Sequence, residues 1–378
     1  MISIYNNQAV DTLKQPMFFG ESLNISRDDI QKYPIFMKNF KQQVKYYWVP
    51  EEVQLNLDKT QFRDLTSQQQ KVFEKNIAYQ ILLDSVQARS LSSILMPIVS
   101  LPELEQCIAA WSYMESVHSR SYQYLLKTVF NNPSNVFNEV LNDAKIKTRA
   151  ESITSTYNDF AQFSEIWRVL GYGTHTINGV TYDVTEYNLK QKFYAFLLNV
   201  YFLESILFYD SFLCSWSFAE NGLMTGNGKI ISLIARDENL HTAITKNIIT
   251  TYKTQEKDEV MARVIEDSDD LVFSMFANVI SGEEAWIEYL FEDNPQILGL
   301  NEEVLKSYLY YLANKRIKNL GYTAPFADYK HNPAKWADKY LQLDLTQTML
   351  QETEGLNYEA GNVSFGGLDI NKFALKGR

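Results

Sequence analysis

Apolar residues recur at helical spacing through most of the chain, so the pattern of hydrophobic and polar positions predicts a set of long helices. The run TSQQQKVFEKNIAYQILLDSVQARSL opens with a capping box at Thr66 and Gln69 and stays periodic through Leu83. Ser100, Pro102 and Glu103 mark a second helix start, ahead of a run reaching Phe130. Further helices are predicted over Asp143–Leu170, Thr185–Phe218, Lys229–Tyr252, Glu256–Phe291 and Asn301–Leu320. The clear β signal is THTINGVTYDV, where Asn178-Gly179 between β-prone runs predicts a tight hairpin inserted between two helices. The fold class expected is all-α, a helical bundle with a small β-hairpin insertion. After about Leu343 the helical period is lost, which divides the chain into a helical domain over 1–343 and a flexible tail over 344–378.

Composition narrows the function classes. A chain of 378 residues with 46% apolar content can bury a large core. Its net charge of −11, from 35 basic and 46 acidic residues, argues against nonspecific nucleic-acid binding, because no basic surplus exists to displace phosphate counterions. Cys107 and Cys214 lie in apolar helical contexts without C-x-x-C spacing and read as buried, reduced thiols. The N-terminal MISIYNNQAV has neither the basic nor the apolar region of an export signal, so a cytoplasmic chain is expected. The segment Phe193–Trp216 is long enough to span a membrane, but Asn199, Glu204 and Asp210 interrupt it, and it reads as a central bundle helix. That placement puts Glu204 inside a core, where a carboxylate is costly unless protonated, hydrogen-bonded or bound to a cation.

Glu204 has companions. In YMESVHSRSYQYL, Glu115, His118 and Tyr122 fall within a narrow arc of one helical face. The E-x-x-H spacing returns at Glu238 and His241, so half of the four histidines occupy this pattern. Alone, Glu238 reads as a surface residue and Asp84, in LLDSVQAR, as a solvated helix-end carboxylate. His175 and His331 sit in loop-like contexts and read as ordinary. Together, Asp84, Glu115, His118, Glu204, Glu238 and His241 give four carboxylates and two imidazoles from four helices. This is the ligand set of a dinuclear site in a four-helix bundle of the ferritin-like kind. Two divalent cations balance four carboxylates, and mixed oxygen and imidazole donors suit iron or manganese.

These residues, with PMFFG (Pro16–Gly20), YYWVPEEV (Tyr46–Val53), GTHTINGV and ARDENLH, resemble the small, radical-generating subunit of class I ribonucleotide reductase, in the iron-dependent type of bacteria and their viruses. The resemblance covers nearly the whole chain. It implies that Asp84, Glu115 and His118 hold one iron and Glu204, Glu238 and His241 the other, with bridging carboxylates in a di-iron-oxo centre; manganese or a mixed pair is compatible with the same ligands. It implies that Tyr122 becomes a stable radical in a pocket of Phe208, Phe212 and Ile234, which are also ordinary core residues. Trp48, Asp237 and His118 would form an electron path. The oxidising equivalent would pass to a large subunit that reduces ribonucleotides to deoxyribonucleotides for DNA synthesis.

A homodimer is implied as well, and a C-terminal tail that docks on the large subunit. Tyr358 stands where the family has its interfacial redox tyrosine, Glu352 is placed for proton handling, and Phe373 and Leu375 are candidate anchors. The ending FGGLDINKFALKGR, with Lys376 and Arg378, is less acidic than the family's tails. The competing function is a ferritin-like di-metal oxidase doing two-electron chemistry on an apolar ligand; Tyr122 on the ligand face and the Trp48–Asp237 pair argue against it. No glycine-rich phosphate loop points to nucleotide binding by this chain.

Overall fold

Helices dominate the computed structural model, which describes residues 5–297 and 299–341, with the side chains of 139 and 140 excepted. In chain order they are α1 (Pro34–Lys45), α2 (Asn56–Asp64), α3 (Ser67–Ser90), α4 (Pro102–Val129), α5 (Pro133–Asn142), α6 (Ala144–Leu170), α7 (Glu186–Phe202), α8 (Tyr209–Glu220), α9 (Thr225–Thr254), α10 (Glu259–Glu266), α11 (Asp269–Phe291), α12 (Glu302–Asn319) and α13 (Asp338–Leu341). Strands β1 (Gly173–Ile177) and β2 (Val180–Val184) form an antiparallel hairpin between α6 and α7. Its two turn residues, Asn178 (φ 50°) and Gly179 (φ 81°), both take the left-handed conformation that a two-residue hairpin turn requires. His175 therefore lies in a strand, opposite Tyr182, and His331 is exposed in the segment after α12.

The predicted starts are met by observed caps at several ends. Thr66 and Gln69 exchange side-chain-to-backbone bonds at the head of α3, and Asp143, Thr185 and Asn301 cap α6, α7 and α12. The expected start of α4 is found at Pro102; the Ser100 hydroxyl before it accepts from Gly20 N, and Glu103 accepts from Lys32 N and Tyr33 N at the head of α1. One expectation needs correction. The expected single helix over Glu256–Phe291 is two, broken at Asp267–Ser268, inside the run Glu266-Asp267-Ser268-Asp269-Asp270. Clustered acidic side chains and a serine that bonds back to Val264 O favour a break there over a continuous helix.

Four long elements frame the centre: α3 packs along α4, α8 along α9, and α4 meets α9, while α1 covers α4 and α9. The helical run Glu186–Glu220 is long and apolar enough to cross a membrane, and its most apolar stretch is wholly buried in the protein, as a core helix should be. Within it, Leu203–Leu207 forms a π-helical turn, which widens the helix and shifts the register of the residues beyond it. Glu204 stands in that turn.

The start of α9 is fixed by tight contact. Met224, at its head, has φ 51° and supplies no side-chain cap; Asp58 of α2 accepts instead from Gly226 N (3.2 Å) and Asn227 N (2.7 Å). A Cβ on Gly226 would lie 2.5 Å from Gln54 O, which is backbone and cannot turn aside. Gly226→Ala is therefore expected to cost about 1–3 kcal/mol of stability. Chemical denaturation beside the wild type measures it.

Candidate metal centre

Each predicted ligand arrives on a helix that fixes its direction. Asp84 comes from the middle of α3, not from a helix end; Glu115 and His118 come from α4, Glu204 from the π-turn, and Glu238 and His241 from α9. All six are fully buried. Their donor atoms form two groups, each lying within 4.8 Å: Asp84, Glu115, His118 and Glu238 in one, and Glu115, Glu204, Glu238 and His241 in the other. Glu115 and Glu238 belong to both groups, so they are the carboxylates placed to serve both.

The donor chemistry fits a metal pair. Both Asp84 oxygens, Glu115 Oε2 and Glu204 Oε2 lack a hydrogen bond of good geometry among the described residues. Buried carboxylate oxygens are normally satisfied, and four carboxylates in one dry pocket need compensating positive charge. The His118 Nδ1 atom lies 3.0 Å from Glu238 Oε1, and His241 Nδ1 lies 2.9 Å from both Glu115 Oε1 and Glu238 Oε2. An imidazole nitrogen and carboxylates converging on one point make a site for a cation of the iron or manganese class.

Without metal, protons supply that compensation. Burial alone would lower the His118 pKa, but its bonds to Asp237 and Glu115 raise it to about 10. The neighbouring carboxylates raise His241 well above its usual value, against burial. Burial pushes Asp84 and Glu238 up, with like charge from Glu115 and Glu204 adding to it. Glu115 is the exception: burial is outweighed by His241 and His118, which hold it at about 2. The imidazoles, Asp84 and Glu238 are thus all shifted toward their protonated forms, and an incoming cation must displace the protons they hold. Metal affinity is expected to rise with pH and to fall as acid refills these groups. Titration calorimetry in buffers of different ionisation enthalpy should show proton release on metal binding.

Neighbouring side chains hold the ligands. Trp111 Nε1 donates to Glu115 Oε1 (2.8 Å), and Gln87 Nε2 donates to Glu204 Oε1 (2.5 Å). Asp237 Oδ2 accepts from Trp48 Nε1 (2.8 Å) and faces His118 Nε2 (3.2 Å), leaving Nδ1 toward the metal positions. Arg236 donates to Asp237 Oδ1 from Nε (3.1 Å) and Nη2 (3.0 Å) and to Tyr46 O, which fixes the carboxylate. Trp111, Gln87 and Arg236 were missed in the sequence. A signal for two of them was present: Trp111 precedes Glu115 by one helical turn, and Gln87 follows Asp84 on the same face of α3.

Tyr122 is buried one turn beyond His118. Burial first, and then the nearby Asp84 and Glu238 charges, hold its pKa well above the ordinary phenol value. Phe208, Phe212 and Ile234 are equally buried in the same core, and the two phenylalanine rings stack at 5.6 Å. Tyr358, Glu352, Phe373 and Leu375 lie outside the described residues, as does the expected boundary near 343.

Comparison with known proteins agrees with this geometry. The family model "Ribonucleotide reductase, small chain" matches residues 30–333. The chain is 40% identical over 353 residues to ribonucleoside-diphosphate reductase 1 subunit beta of Escherichia coli O157:H7, covering 93% of each. It is 35% identical over 369 residues to the subunit beta of Enterobacteria phage T4, covering 95% of each. Among solved structures, the ribonucleotide reductase R2 subunit from Clostridium botulinum superposes with a TM-score of 0.76 at 26% identity, over 90% of this chain and 98% of that one. The match spans the helices that carry all six clustered residues, and the expected ferritin-like, all-α architecture is the one found. The buried carboxylate and histidine cluster inside that body fits a di-metal site, and the protein belongs to the ribonucleotide reductase small-chain family.

Proposed function

We propose that this chain is the radical-generating subunit of a class I ribonucleoside-diphosphate reductase, with a stable radical on Tyr122. The observation that carries the reading is the placement of one buried phenol beside Asp84, on the same helix face as Glu115 and His118. Asp84 and His118, with the shared Glu115 and Glu238, would hold one iron ion; Glu204 and His241, with the same two carboxylates, would hold the other. Manganese or a mixed pair suits the same donors. When bound, the metal pair supplies the reduction of dioxygen from which the oxidation of Tyr122 originates.

The protein's own groups decide where that oxidation ends. A phenol with a strongly raised pKa does not ionise first, so its electron and proton leave together, and Asp84 is the carboxylate placed to take the proton. Phe208, Phe212 and Ile234 are buried and apolar and offer no hydrogen-bond donor to the product. Trp48, Asp237 and His118, joined through Asp237 Oδ2, provide a hydrogen-bonded electron route from the ligand shell toward α1 and the segment after it.

Partner and compartment accord with the same reading. The chain works with a large subunit, which reduces the ribonucleotide, and is a homodimer whose tail, 344–378, docks on that partner through Phe373 and Leu375. Tyr358 passes the oxidising equivalent across, with Glu352 handling its proton. A cytoplasmic location suits the free, buried Cys107 and Cys214. Tyr358→Phe is expected to leave the Tyr122 radical intact and to abolish deoxynucleotide formation with the added large subunit. Normal turnover by that variant would remove Tyr358 from the route.

A further inference from the structure

A second set of buried polar groups lies beyond the metal centre on the same helix. On α3, Asn76, Gln80, Asp84 and Gln87 fall within an arc of about 80°, and none is more than 1% exposed. Asp84 and Gln87 serve the centre; Asn76 and Gln80, two turns and one turn earlier, do not. Around them α6 brings Arg149, α11 brings Glu283 and Trp286, and α8 brings Asp210. The Arg149 guanidinium pairs with Glu283 and lies over the rings of Tyr79 (3.9 Å) and Trp286 (4.9 Å), with Asp210 close enough to feel its charge. Asn76 reaches Cys214, one turn from Asp210 on α8.

This cluster is under-satisfied. Among the described residues, neither amide atom of Gln80 and neither oxygen of Asp210 has a hydrogen-bond partner, though neither side chain is more than 1% exposed. Orphaned groups of this kind are normally satisfied by internal water. Burial also raises the Asp210 carboxyl to about 8, in spite of the neighbouring Arg149 charge, so it can take up and give back a proton near neutral pH. Outside the cluster a groove of about 190 Å³ is lined by Lys71, Lys75, Asp143, Tyr289, Ala78 and Ile146, among others. Ala78 adjoins Tyr79, Ile146 is one turn from Arg149, and Tyr289 one turn from Trp286. The groove therefore lies over the cluster.

We propose that Asn76, Gln80, Arg149, Asp210 and Glu283 hold an internal chain of water molecules that carries protons from this groove to the Asp84 end of the metal centre. The inference rests on the proposed function, in which dioxygen is reduced and its oxygen atoms take up protons that an apolar radical pocket does not contain. Each water, and Asp210, accepts one proton from its solvent-side neighbour and passes one inward. The net change is one proton lost by solvent and one gained at the centre. No electron moves on this route.

The test has two arms. Atomic-resolution diffraction from the wild-type chain should show ordered water within hydrogen-bond distance of Gln80 and Asp210. Stopped-flow mixing of iron-loaded protein with oxygen, in light and heavy water, should show tyrosyl radical appearing about tenfold more slowly, or slower still, in Gln80→Leu and Asp210→Asn. The iron per chain should be unchanged, the solvent isotope effect enlarged, and most of the rate retained in Gln80→Asn, which keeps an amide. Dry Gln80 and Asp210 side chains in the wild-type crystal would overturn the proposal even if the variants failed to fold. Wild-type rates and isotope effects in both variants would overturn it too. A wild type that forms no radical would instead overturn the functional reading on which the relay depends.

Discussion

Tyr122→Phe removes one oxygen atom from a fully buried site and is expected to take reductase activity to background while metal uptake stays near wild type. The asymmetry follows from the geometry. The cluster's carboxylates and imidazoles are positioned by Trp111, Gln87 and Asp237, while the Tyr122 hydroxyl meets the set at Asp84. Phenylalanine fills the same apolar space, so stability should change little. What it lacks is an oxidisable O–H beside Asp84. The check pairs iron analysis with a deoxynucleotide assay in the presence of the large subunit. Retained turnover would mean that the radical, if there is one, resides elsewhere.

Removing a shared carboxylate should cost more metal than removing an unshared one. Glu238 stands in both four-residue groups and Asp84 in one. Glu238→Ala leaves both positions a ligand short and takes one of four negative charges from a dry pocket, so bound iron is expected to fall from about two per chain to near zero. Asp84→Ala should retain about one. Glu238 is the cleaner choice than Glu115, whose loss would also strand the Trp111 indole N–H. Equal losses in the two variants, measured by metal analysis after gel filtration, would contradict the assignment of Glu238 as a bridging group.

Much of this site was legible because its residue types are out of place. A glutamate in the most apolar helix, and two histidines of four at the same helical spacing from a glutamate, call for a compensating charge in any fold. Helix lengths and caps were readable for a similar reason: Thr66, Asp143, Thr185 and Asn301 make local bonds that the chain's own order dictates. What escaped was set by tertiary contact. The head of α9 is capped by Asp58, more than 160 residues earlier in the chain, and the head of α1 by Glu103. The π-turn at Glu204 has no local sequence mark, since a widened turn is stabilised by what the side chains meet across the bundle. Arg236 was passed over because an arginine in a helix ordinarily points to solvent; here it is buried to hold Asp237.

The central claim is that this buried cluster oxidises Tyr122. Metal-free protein loaded anaerobically with ferrous iron, exposed to oxygen and frozen for electron paramagnetic resonance tests it directly, with Tyr122→Phe prepared alongside. A tyrosyl signal is expected in the wild type and none in the variant. Iron that binds and consumes oxygen with no tyrosyl signal, repeated with manganese and mixed metals, would contradict it and leave a two-electron oxidase as the better description of the site.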